Sequence, residues 1–325
     1  MSTITNPRER RNNSYLPQAQ QLYDWIIAPI EEELARNQID TILFAMDAPL
    51  RSLPIAVLHD GDRFLIEKAA LAQIPSLNLT DTRLGSIKEA PVLAMGASQF
   101  TELSPLPAVP LELEVIVGSP EVDSDFTREE PLWPGSSFLN EDFTIDKLQL
   151  QRQVNQSIIL HLATHADFLP GEPGDSYIQL WNSKLGIDEI EKLDWRIDPA
   201  VELLVLSACR TAIGDEEVRL GFAGLAVQAG VKTAVASLWY VDDEGTLSLM
   251  TEFYHYLKTA NLKADALQLA QIAMLRGEVR MENGEIVFDN LNRRIVLPPE
   301  LAELPVANLA HPYYWAAFTV IGSPW

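Results

Sequence analysis

The chain has 325 residues, of which 47% are hydrophobic, so it can bury a large core in one large or two modest domains. Its net charge of −22 argues against nucleic acid as a partner, because phosphate binding requires clustered Lys and Arg; an acidic surface attracts basic protein segments or simply keeps the protein soluble. The basic, polar first twenty residues and the lack of an uncharged apolar run of roughly 18 residues predict no secretory signal and no membrane association, so we expect a cytoplasmic protein.

The first part of the chain predicts a polar tail followed by an α/β half. Residues 1–18 are expected to be a flexible polar tail, and residues 19–148 the N-terminal half of one domain. Apolar spacing and turn residues predict these elements in chain order: a helix from Leu22 to Ala35, a strand at Thr41–Met46, a hairpin turn at His59–Asp62 between Ile55–Leu58 and Arg63–Glu67, a strand at Pro91–Met95, and helices at Leu111–Val117 and Phe143–Val154.

The second half, residues 149–325, contains two short apolar runs that each end at a reactive side chain. Ser157–Thr164 leads to His165 and Val201–Ala208 leads to Cys209, and their composition predicts buried parallel strands. Helical periodicity over Leu185–Leu193 predicts a helix between them. His165 and Cys209 should therefore lie at the same carboxyl edge of one sheet. The rest of the half predicts a helix at Phe222–Ala229, a strand at Thr233–Leu238, helices at Leu247–Leu257 and Ala266–Ala273, and a strand at Trp315–Ile321.

Cys209 is the only cysteine of the chain, which excludes a disulfide within it. A single cysteine with a histidine close to it in the fold is a candidate nucleophile with its base, so Cys209 and His165 are candidate catalytic residues. The backbone N–H groups of Cys209 and Ala166 are candidates for holding an oxyanion. The alternative is that Cys209 packs in the core and His165 is a hydrogen-bonded loop residue.

Acidic residues follow the strand at Thr233–Leu238 at the same predicted edge. Asp242 and Asp243 either cap the next helix or line a pocket that selects a Lys or Arg side chain. Asp175 and Asp215, in the loops after His165 and Cys209, are further candidates for that pocket.

Metal and cofactor sites are not expected. His161 and His165 lie four residues apart on a strand and its following turn, where they would not share a metal, and His161 is expected to pack inside or to pair with a polar group. No glycine-rich loop has the spacing of a nucleotide site.

Several segments, in the right order over roughly residues 20–325, resemble the CHAT domain, a caspase-like peptidase domain. They are Asp47–Pro54, Ile74–Leu77, His161–His165, Leu206–Thr211, Gly221–Ala226, Ala236–Asp242 and His311–Phe318. The resemblance implies a caspase-like α/β fold with a mostly parallel sheet flanked by helices, an N-terminal half containing a hairpin, and residues 19–325 as the domain. Family members commonly have Gly where this chain has Ala166.

The resemblance also implies a function. It implies a cysteine endopeptidase in which His165 and Cys209 are the catalytic pair and peptide bonds of a protein partner are the substrate. The segment from Leu238 to Asp243 is similar to that of separase, where an acidic residue selects arginine, so Asp242 or Asp243 would select a basic residue before the cleaved bond. CHAT domains are often attached to tetratricopeptide repeats, which this sequence lacks, so a regulator is expected either on another chain or in a part of the protein outside this sequence. A regulatory protein bearing such repeats is therefore a candidate partner. The alternative function is a signalling or scaffold module that keeps the fold and binds proteins without cleaving them.

Overall fold

The structure is a computed structural model that describes most of the chain. The described residues are 4–5, 12–47, 50–118, 130–167, 177–186, 189–190, 193, 195–196, 199–207, 222–303 and 308–325. Cys209, Asp175 and Asp215 lie outside them.

The strands, in chain order, are β1 (Thr41–Phe44), β2 (Ala70–Gln73), β3 (Val92–Gly96), β4 (Gly135–Leu139), β5 (Ile159–Ala163), β6 (Ala166–Asp167), β7 (Tyr177–Gln179), β8 (Lys184–Gly186), β9 (Leu203–Ser207), β10 (Thr233–Ser237), β11 (Val279–Glu282), β12 (Glu285–Phe288), β13 (Arg293–Val296) and β14 (Phe318–Gly322). The helices are α1 (Leu16–Ile26), α2 (Glu31–Arg36), α3 (Val109–Val117), α4 (Ile145–Asn155), α5 (Phe222–Ala229), α6 (Asp243–Leu257), α7 (Lys263–Leu275), α8 (Pro299–Ala302) and α9 (Pro312–Trp315).

Eight of the described strands form one sheet in the order β1-β2-β14-β10-β9-β5-β3-β4. The pair β10 and β14 is antiparallel, and every other neighbouring pair in this sheet is parallel. Every residue of β3, β5, β9 and β10 is buried, as expected for strands covered on both faces. The expected α/β class, with a mostly parallel sheet flanked by helices, is confirmed.

Helix packing places two helix N-termini near one edge of the sheet. Helix α6 packs against both α3 and α7, and α3 also packs against β3. Helix α3 follows β3 after the loop of residues 97–108, and α6 follows β10 after the short segment of residues 238–242. Residues at the starts of both helices therefore lie near Thr164 and Ser207, at the carboxyl ends of β5 and β9.

Several predicted elements differ from the structure. The hairpin turn forms, with a bridge between His59 and Phe64 and with Gly61 at a φ of +106°. The segments beside it, however, are 3₁₀ turns at Ile55–Val57 and Leu65–Glu67 and not strands. The predicted strand at Trp315–Ile321 begins later, at Phe318, because Trp315 ends the helical turn α9.

The predicted helix over Leu185–Leu193 is wrong at its start. Leu185 is the centre of β8, which pairs with β7 in a small antiparallel sheet that also contains β6. The connection between β5 and β9 therefore begins with strands. A second small sheet, the antiparallel meander β11-β12-β13, was not predicted.

The expected domain boundaries fall inside helices of the structure. Residue 18 lies within α1, and Tyr15, just before that helix, is buried at 5% exposure. Residue 148, the expected end of the N-terminal half, lies within α4. The central sheet contains strands from both halves. None of the described helices is long and apolar enough to cross a membrane.

Candidate active site

His165 lies just beyond the carboxyl end of β5, where the loop after β3 orients its ring. Its Nε2 atom is 2.7 Å from the backbone oxygen of Ser104, and its ring centroid is 4.7 Å from that of Phe100. A carbonyl oxygen only accepts hydrogen bonds, so the proton of the neutral imidazole belongs on Nε2. Nδ1 is then the basic nitrogen.

The strand that precedes Cys209 is paired in register with the strand that precedes His165. Ala163, the last residue of β5, is opposite Ser207, the last residue of β9, and the N–H of Thr164 extends the ladder to the Ser207 oxygen at 3.4 Å. His165 and Cys209 each follow these paired residues by two positions. The predicted convergence of the two strand ends is confirmed, whereas the position of the thiol lies outside the described residues.

Ala166, the other candidate oxyanion residue, begins β6. It is opposite Ile178 on β7, and the adjacent ladder bond runs from the N–H of Gln179 to the oxygen of His165. In an antiparallel ladder this arrangement makes Ala166 and Ile178 a non-hydrogen-bonded pair. The N–H of Ala166 therefore points away from β7.

A narrow cleft that is open to solvent lies at the same edge of the sheet. Thr164, Ser207 and Ser237, which end or follow three neighbouring strands, form part of its wall. The other lining residues are Leu106, Ala108, Val109, Glu112, Val241, Asp243, Thr246 and Phe318. The cleft is thus an apolar cavity with hydroxyl groups and two carboxylates.

The two candidate aspartates at the start of α6 have different surroundings. Asp242 is the N-cap residue, but its side chain does not cap the helix, and Oδ1 accepts a hydrogen bond from the Tyr313 hydroxyl at 3.1 Å. Asp243 is the first helical residue and lines the cleft, which Asp242 does not. Of the two, Asp243 is the one placed to contact a side chain in the cleft.

The carboxyl group of Asp243 is strongly perturbed. Burial raises its pKa from 3.8 to about 6; the neighbouring carboxylates of Glu112 and Asp242 raise it further, and a hydrogen bond from the Ala108 N–H at 3.4 Å opposes the rise. Among the described residues, no lysine or arginine forms an ion pair with Asp243. Because a nearby positive charge stabilises the ionised form of a buried carboxyl group, Asp243 favours the binding of a cation in the cleft.

Glu112 is a site residue that sequence reasoning missed. It is 2% exposed, and its Oε1 atom is 3.0 Å from Nε2 of His161, off the line of a hydrogen bond. His161 is fully buried, with Nδ1 3.2 Å from the Tyr254 hydroxyl, which confirms the prediction that it pairs with a polar group. Glu112 shares a helical face with Val109 and Ile116, and a glutamate within such an apolar face is the signal that could have revealed it.

No group of three or more metal-ligating side chains with workable geometry occurs in the described part of the chain. The cleft is lined by hydroxyl and carboxyl groups that also suit an organic cation.

The comparison with known families matches the model of the CHAT domain to residues 16–323. The chain belongs to the CHAT domain family. No curated protein matches this CHAT domain in sequence.

Two solved structures, both of the Saccharomyces cerevisiae separase–securin complex, resemble this CHAT domain in fold. In the 3.0 Å structure the likeness has a TM-score of 0.51 and 14% identity, and covers 87% of this chain and 15% of the other. In the 2.6 Å structure it has a TM-score of 0.50 and 12% identity, and covers 93% and 17%. The CHAT domain thus spans less than a fifth of the matched chains and has a caspase-like fold.

Proposed function

We propose that this CHAT domain is a cysteine endopeptidase that cleaves a protein partner after a basic residue, with Cys209 as nucleophile and His165 as base. The observation that carries the proposal is the paired register of β5 and β9, whose carboxyl ends at Ala163 and Ser207 lie together beside an acidic cleft. Membership of a caspase-like family supports the same reaction class.

The mechanism starts with proton transfer from the Cys209 thiol to Nδ1 of His165, whose Nε2–H is held by the Ser104 oxygen. The thiolate attacks the scissile carbonyl carbon, and the N–H groups of Ala166 and Cys209 hold the resulting oxyanion. Collapse of this intermediate breaks the C–N bond as His165 returns the proton to the leaving amine. Water, deprotonated by His165, then hydrolyses the thioester and regenerates the thiol.

The cleft supplies the proposed specificity. A lysine or arginine side chain that leaves water requires a partner, since an uncompensated buried charge costs several kcal/mol. Asp243 provides a desolvated carboxylate that lacks a cationic partner among the described residues. Asp242, Asp175 and Asp215 are left as secondary candidates for this contact.

The proposed partners are proteins. The acidic chain, with a net charge of −22, favours association with basic segments, including the proposed cleavage site. The structural neighbours are complexes of separase with securin, and by analogy a regulatory protein, such as one bearing tetratricopeptide repeats, would control this domain. We propose that it acts in the cytoplasm, where a free thiol stays reduced.

A thiol-reactive peptide probe with arginine at the cleaved position tests the proposal. It should label the protein at Cys209, and His165→Ala should slow that labelling strongly. His255→Ala is the matched control, because His255 lies on α6 roughly 18 Å along the helix from Asp243, at 1.5 Å per residue. A probe that labels no faster than a peptide-free thiol reagent, with no cleavage of any protein, would favour the scaffold function.

A further inference from the structure

Two carboxylates from different helices face the same cleft. Glu112 comes from the first turn of α3, and Asp243 begins α6. They are close enough for the charge of Glu112 to raise the pKa of Asp243. In the part of the chain that the structure describes, neither carboxylate is paired with a lysine or arginine.

The cleft also presents a buried hydroxyl group that has no hydrogen-bond partner among the described residues. Ser207 is 6% exposed, and its Oγ atom makes no hydrogen bond within the described chain. A buried polar atom without a partner is costly, so its presence in the wall of a cleft points to a ligand that supplies a hydrogen bond. Together with the two carboxylates, it makes three acceptors on different walls.

The carboxylate of Glu112 lies beside a buried histidine. Nε2 of His161 is 3.0 Å from its Oε1 atom, off the line of a hydrogen bond, and the Tyr254 hydroxyl is 3.2 Å from Nδ1 of the same ring.

We propose that Glu112 is a second specificity residue, which makes the cleft select the guanidinium of arginine over the ammonium of lysine. The inference rests on the proposed function, because it names the side chain that the same cleft accepts. A guanidinium has five N–H donors in a planar fork, so it can bridge Asp243, Glu112 and the Ser207 hydroxyl at once. An ammonium is a compact charge whose three donors all radiate from one nitrogen atom, so it matches acceptors on different walls less well than the planar fork does.

The test compares matched peptides that differ only by arginine or lysine at the cleaved position. Wild-type protein should prefer arginine in kcat/KM, and Glu112→Gln should lower the arginine-to-lysine ratio about tenfold or more, in line with the loss of one charged contact. Glu114→Gln is the matched control, because Glu114 is buried on the same helix but does not line the cleft. Labelling of Cys209 by iodoacetamide should be the same in all three proteins.

An equal loss on both peptides in Glu112→Gln, or the same change of ratio in Glu114→Gln, would show a structural role and overturn the inference. An unchanged ratio in Glu112→Gln would overturn it as well.

A binding experiment separates failure of the inference from failure of the proposed peptidase. Calorimetry on the Cys209→Ala protein would use propylguanidine and butylamine, which are the isolated side chains of arginine and lysine. Propylguanidine should bind more tightly, and Glu112→Gln should reduce that difference. If no peptide is cleaved but this preference holds, the peptidase proposal fails and the assignment of the cleft stands. Equal or absent binding of both compounds overturns the assignment.

Discussion

Replacing Asp243 by Asn should stabilise the protein at neutral pH. Burial and the nearby carboxylates raise the pKa of Asp243 from 3.8 to about 6, so its ionised form is less favourable in the folded protein than in the unfolded chain. A rise of this size lowers the free energy of unfolding by about 3 kcal/mol at pH values above the pKa of both the unfolded and the folded state. Asn keeps the shape and can still accept the Ala108 hydrogen bond, so most of this penalty should disappear.

The sign of the effect depends on pH in a defined way. Below pH 3.8 both the folded and unfolded states hold the proton, and Asp243→Asn should change nothing. Between 3.8 and about 6 the unfolded chain loses the proton first, so the wild-type protein becomes less stable relative to the variant as pH rises. In urea unfolding, Asp243→Asn should raise the free energy of unfolding by close to zero at about pH 4 and by about 2–3 kcal/mol at about pH 8. Equal stability of the two proteins at pH 8 would refute the desolvation argument.

The same substitution should damage the proposed cleavage. Removing one member of a desolvated charge pair costs about 2–5 kcal/mol, or roughly 30-fold to several thousand-fold in rate for an arginine substrate. Glu252→Gln is the matched control: Glu252 is buried on the same helix with its pKa raised by burial to about 7, but it does not line the cleft. It should stabilise the protein above pH 7 and leave arginine cleavage intact, which separates stability from specificity.

Three further predictions concern the proposed chemistry. The alkylation rate of Cys209 against pH should show an apparent pKa below that of a free thiol, and His165→Ala should raise it; a thiol that reacts only after unfolding would mark core packing. The ratio of kcat/KM for an arginine peptide to that for a neutral one should fall as pH falls through about 6, because Asp243 takes up a proton, and a flat ratio would show that Asp243 does not contact the substrate. Cleavage should survive exhaustive chelation, with calcium added back separately because the many carboxylates could bind it; strict dependence on a metal would contradict a mechanism built on Cys209 and His165.

The strands that carry the site were predictable because they are buried on both faces. β5, β9 and β10 are short runs of Ile, Val, Leu and Ala, and such runs are typical of central parallel strands. Once they are recognised, the position of His165 follows, since parallel strands present their carboxyl ends at one edge.

The elements that were predicted wrongly or missed depend on weaker or longer-range signals. Periodicity over Leu185–Leu193 could not separate a helix from the short strand β8, whose pairing with β7 is a tertiary contact. The meander was predictable in part, because Asn283-Gly284 between β11 and β12 is a typical hairpin turn, and both residues have positive φ. Glu112 lies 131 residues before Asp243, and no local pattern indicates that they share a cleft.

The position of the cleft explains how two carboxylates can stay buried together. Asp243 is at the N-terminus of α6, and the N–H that it accepts, from Ala108, is at the N-terminus of α3. Both helix ends carry unsatisfied N–H groups and a partial positive charge, which favours an anion. These ends offset part of the desolvation cost but not all of it, since the pKa of Asp243 is still raised. A bound cation would remove the remaining desolvation cost. The buried carboxylates that destabilise the fold would therefore also select a basic side chain.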